Sequence, residues 1–64
     1  MTNETKIIII ENELTAYENT MYQLQLRSRV AKITDNAELE KNIEGELVKC
    51  LKAIDFLNEE KNKL

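Results

Sequence analysis

Ile7, Ile10, Leu14, Tyr17, Met21 and Leu24 follow one another at alternating steps of three and four residues, with no miss. A helix turns once in about 3.6 residues, so this spacing holds one apolar stripe on one face. A strand alternates faces at every residue and would scatter the same set over both sides. After a short polar break, Leu39, Ile43, Leu47, Cys50, Ile54 and Leu57 repeat the pattern. Two such segments joined by a few residues predict an all-α chain, an antiparallel two-helix hairpin of coiled-coil type.

The boundaries follow from local chemistry. Met1–Thr5 is polar and is expected to fray. The first helix is predicted over about 6–33, the turn over 34–36, and the second helix over about 36–62, all in one domain spanning 1–64. Neither segment contains proline, and the single glycine is Gly45. Ile7–Ile10 is the ambiguous stretch. Four β-branched residues in a row favour a strand on propensity, and a lone strand needs another edge to pair with. Ile7 and Ile10 nevertheless fall in the heptad register of everything downstream, so helix is the reading. Asp35 is the expected N-cap of the second helix, with Glu38 completing a capping box. Arg27, Arg29 and Lys32 crowd the end of the first helix, opposite Asp35, Glu38 and Glu40, and the two groups are expected to neutralise each other.

Folding the chain back on itself pairs Leu39 with Ala31, Ile43 with Ser28, Leu47 with Leu24, Cys50 with Met21, Ile54 with Tyr17, and Leu57 with Leu14. Near the turn, large residues of one helix then face small ones of the other, which is how facing layers interdigitate. This seam does not use up the apolar residues. Tyr22, Leu26, Val30 and Ile33 form a second stripe on the first helix, and Gly45, Val48 and Phe56 lie away from the seam on the second. Tyr22 is level with Val48, and Leu26 with Gly45. An aligned exposed set predicts an interface, with Tyr22 as its anchor because aromatics dominate binding hot spots. A second copy satisfies it most simply, giving a four-helix bundle about a two-fold axis. Gly45, costing about 1 kcal/mol relative to Ala inside a helix, fits a place where another backbone approaches.

Composition narrows the function. A chain of 64 residues has little capacity for a core, and with one cysteine and no histidine it has neither an internal disulfide nor a good zinc ligand set. Oligomerisation or docking is the remaining route to stability. No histidine serves as an acid–base group, no residue is spaced to activate Ser28, and no glycine loop can cradle a phosphate. The chain is therefore read as a non-enzyme with no cofactor. Cys50 is read as a core thiol. A formal net charge of −3 disfavours nucleic acid, and no run is long enough to span a bilayer. A lone cysteine and the lack of a signal-like segment place the chain in the cytoplasm. Usage rich in Glu, Lys, Asn and Ile, and poor in Ala and Gly, accords with an AT-rich genome, a low-GC bacterium or its phage.

These observations point to a small protein–protein interaction module that self-associates, most simply as a homodimer, and acts as an adaptor, assembly or structural factor. The alternative is a phage or mobile-element inhibitor that blocks a host protein. Nucleic-acid binding through Arg27, Arg29 and Lys32 is the weakest of the three readings.

Overall fold

The computed structural model describes residues 1–64 and is built from helix α1, Asn3–Ile33, and helix α2, Ala37–Asn62, packed against each other. No strand forms. Ile7–Ile10 is helical, so the heptad register outweighs the β propensity of the isoleucine run. α1 also begins earlier than its polar start suggests. Thr2 caps it, its hydroxyl oxygen accepting from the Thr5 backbone N–H at 3.2 Å and lying 2.9 Å from the Thr5 hydroxyl. A side-chain oxygen at this place satisfies a donor that has no partner within the helix. Asn3–Thr5 is thus drawn into the helix by its cap, while Met1 and Thr2 stay outside it.

The turn differs in detail from the expected one. Asp35 does not cap α2; it sits at φ 54°, in the left-handed region, at the end of α1. The Asn36 N–H donates to the Ala31 carbonyl at 2.8 Å and the Asp35 N–H to the Lys32 carbonyl at 3.3 Å. Those two bonds form a Schellman motif, whose left-handed position is usually glycine. Aspartate is one of the few other residues that visits this region. The cap of α2 passes to Asn36, whose Oδ1 accepts from the Leu39 N–H at 3.1 Å. A one-residue shift follows: the chain must complete the left-handed step at Asp35 before a capping side chain can turn back on α2.

The helices run antiparallel with their residues paired about the turn. Leu24, Ala31, Ile43 and Cys50 form the buried cluster, and Met21 and Leu47 pack against it. Ala31 is wholly covered and Ile43 nearly so. A small residue on α1 here lets the larger side chain of α2 seat against its backbone. Leu14 is buried farther along the same seam, and Ile54 and Leu57 are half-buried. At the open end the Lys61 Nζ lies 3.9 Å from the Glu11 carboxylate, the one ion pair that joins the helices. Both partners are exposed, so this pair contributes about 1 kcal/mol or less.

Two seam assignments shift. Leu39 is 38% exposed, and it is Glu40 that turns half toward α1. Counting back in sevens from Ile54 and Leu47 reaches position 40, so strict heptad geometry overrides side-chain chemistry at the start of α2. Tyr17 sits on the seam register but remains 36% exposed.

The result is a rod of 49 × 15 × 13 Å with only five buried residues. Its accessible surface of 5083 Å² exceeds the roughly 4,250 Å² that size scaling gives for a compact monomer of this mass.

Candidate interaction surface

The seam positions fix which way every other residue of α1 faces. Ile7, Leu14, Met21 and Ser28 take one heptad place and Ile10, Tyr17, Leu24 and Ala31 the other. At about 100° per residue, Tyr22, Leu26, Val30 and Ile33 then lie roughly 130° to 180° around α1 from the seam centre. All four are exposed, Ile33 most of all. They form the outer face of α1, the side turned away from α2.

That face continues beyond the four residues singled out by sequence. The same heptad places, traced toward the N-terminus, carry Gln23, Asn19, Ala16, Thr15, Asn12, Ile9, Ile8 and Thr5, and each of these is exposed. Ile8 is the notable addition, at 59% exposure, while Ile9 lies at the edge of this face and lines a groove with Ile10, Glu60 and Leu64 at the open end of the hairpin. Reading Ile7–Ile10 as one ambiguous block hides them; extending the period upward from Tyr22 reveals them. Thr15 presents less polarity than its formula suggests, because its hydroxyl donates to the Glu11 carbonyl at 3.0 Å. From Thr5 to Ile33 the outer face carries a single charge, Arg29. The other charges of α1, such as Glu11, Glu13, Glu18 and Arg27, line its flanks beside the seam.

The outer face of α2 is of another kind. Gly45 is directly opposite the seam and Val48 and Phe56 lie to either side of it, both about half exposed. Between them stand Glu38, Lys41, Lys49, Lys52, Asp55 and Glu59. A Cβ built on Gly45 would meet nothing within 4 Å, so no packing in the hairpin requires glycine there. Tyr22 and Val48 share a level along the rod and, each about 130° around its helix from its own seam, diverge from each other on the same flank of the hairpin. Leu26 and Gly45, each directly opposite its own seam, face away from each other, and charged residues interrupt the outer set of α2.

The basic cluster near the turn also behaves differently from its expected role. Ion pairs form only between Lys49 and Glu46, Lys61 and Glu11, and Lys63 and Glu60. Arg27, Arg29 and Lys32 make none. The largest groove, about 650 Å³ and open to solvent, runs along the flank between Arg27, Leu39, Asn42, Ile43 and Glu46. Its lining mixes charges of both signs with a few apolar edges. No group of three potential metal ligands comes together, Cys50 is a buried free thiol on the seam, and no helix is long and apolar enough to cross a membrane.

No protein-family model, curated protein or solved structure matches the chain.

Proposed function

We propose that this protein is a non-enzymatic helical interaction module that self-associates through the outer face of α1 and serves as an adaptor or assembly factor. The observation that carries the reading is the exposed, nearly uncharged face from Thr5 to Ile33, with Tyr22, Leu26, Val30 and Ile33 at its apolar end. A solvated helix back is normally its most charged side, and a helix apolar on opposite sides is normally covered on both. Exposed apolar surface arranged this way marks an interaction site. Covering it also supplies the burial that a rod with five core residues lacks.

Two copies joined here make a four-helix assembly. Light scattering on a sizing column, over a range of concentrations, tests the proposal. A particle of twice the 7.5 kDa chain mass supports it. A folded monomer at every concentration contradicts self-association and redirects the face to a different protein, as an inhibitor of a host target would use it.

A further inference from the structure

We infer that the occupant of the α1 outer face is α1 of a second copy, running antiparallel, with Asn19 at the two-fold axis. This rests on the self-association proposed above and adds the orientation, the register and the order of the helices. Charge sets the orientation. Up to Thr20, α1 and its cap carry Glu4, Glu11, Glu13 and Glu18 against Lys6 alone; from Met21 to Ile33 they carry Arg27, Arg29 and Lys32 and no carboxylate. A parallel pair lays acid on acid and base on base. An antiparallel pair lays each acidic half on a basic one, and like-charge contact of this kind is what suppresses wrong arrangements.

The heptad sets the register. Thr5, Asn12, Asn19, Leu26 and Ile33 all share the place directly opposite the seam. They superpose on themselves, reversed, when Asn19 meets its own mate. Ile33 then faces Thr5, Leu26 faces Asn12, and Tyr22 comes beside Thr15, so large residues of one half meet smaller ones of the other. On the flanks Glu13 approaches Arg27 and Glu4 approaches Lys32, and each contact occurs twice. Glu18 is the exception, since it lies near its own mate by the axis. A rival register sets Leu26 on Leu26 and gathers more apolar surface, but it brings the three cations of each copy together.

The surface supports a contact of this size. The rod exposes about 800 Å² more than a compact monomer of its mass, which is what one partner buries in a standard interface. Because the outer face of α1 is opposite its seam, the dimer is an extended four-helix array. The order is α2, α1, α1 of the second copy and its α2, with the central pair covered on both sides.

Cysteine cross-linking tests this. Asn19→Cys and Leu26→Cys are made separately in the full chain, and each is oxidised under mild conditions, with the unsubstituted chain and its buried Cys50 as control. Both sites are exposed, and circular dichroism confirms the fold. A disulfide needs Cα atoms within about 7 Å. In the inferred register residue 19 meets its mate, whereas the two copies of residue 26 stand roughly 21 Å apart along the axis. The inference expects a covalent dimer from Asn19→Cys and essentially none from Leu26→Cys. The reverse result, or no cross-link at either site in a protein that scattering shows to be dimeric, overturns it. A monomeric mass in the same samples overturns the self-association itself, so the two failures are separable.

Discussion

The outer faces of α1 and α2 share an exposure and differ in chemistry. Tyr22 on α1 and Phe56 on α2 are 61% and 58% exposed in the single chain, so accessibility alone ranks them as equals. Their surroundings separate them. Phe56 is adjacent to Asp55 in the chain and shares its face with Lys49, Lys52 and Glu59, while Tyr22 sits on a face whose one charge is Arg29. An isolated exposed aromatic on a charged surface is ordinary; one within a long uncharged face is not. α2 is a one-sided amphipathic helix, whereas α1 is apolar on its seam and nearly uncharged on the opposite side. The lesson is that the absence of charge over a whole face points to an interface more sharply than the presence of an exposed hydrophobe.

Several substitutions break or sharpen this contrast. The largest effect is expected inside the seam, on which both outer faces depend. Ile43→Ala, at the best-packed large residue, is expected to cost about 2 to 4 kcal/mol and to shift the thermal unfolding midpoint down by many degrees. Next comes Leu26→Glu on α1. It places a charge on the midline of the proposed contact, against Asn12 of the second copy, and is expected to weaken self-association by about 30-fold or more, read by sedimentation equilibrium, with helicity retained. Gly45→Ala probes α2 from the opposite direction. With open space around the new methyl group, it is expected to stabilise the fold by up to about 1 kcal/mol and to leave association unchanged. If another backbone packs on Gly45, the same change weakens association instead. The smallest effect belongs to Val48→Glu, expected to lie within about 0.5 kcal/mol on both stability and association.

Much of the architecture is legible in the sequence because heptad spacing is a geometric signal, indifferent to the partner. The seam from Leu14 to Ala31 and from Ile43 to Leu57 can be read at that level. The turn is less legible. Asp35 and Asn36 are both good capping residues, and only the left-handed step at Asp35 decides which of them caps α2. At Leu39 side-chain type suggests a seam residue, but helix phase sends Glu40 to the seam. The candidate site is visible in part: Tyr22, Leu26, Val30 and Ile33 stand out as apolar residues. Ile8 and Ile9 do not, since four consecutive isoleucines carry no period of their own. That Leu26 and Gly45 face opposite ways depends on helix phase about each axis, and heights along the rod do not contain it.

The most direct test of the central claim is a matched pair of dissociation constants. Tyr22→Glu and Phe56→Glu put the same charge in place of equally exposed aromatics, one on each outer face, and both can be compared with the unsubstituted chain by sedimentation equilibrium. The account expects Tyr22→Glu to shift the protein to a folded monomer while Phe56→Glu leaves the dimer as tight as before. Equal loss from both, or loss from Phe56→Glu alone, would contradict it.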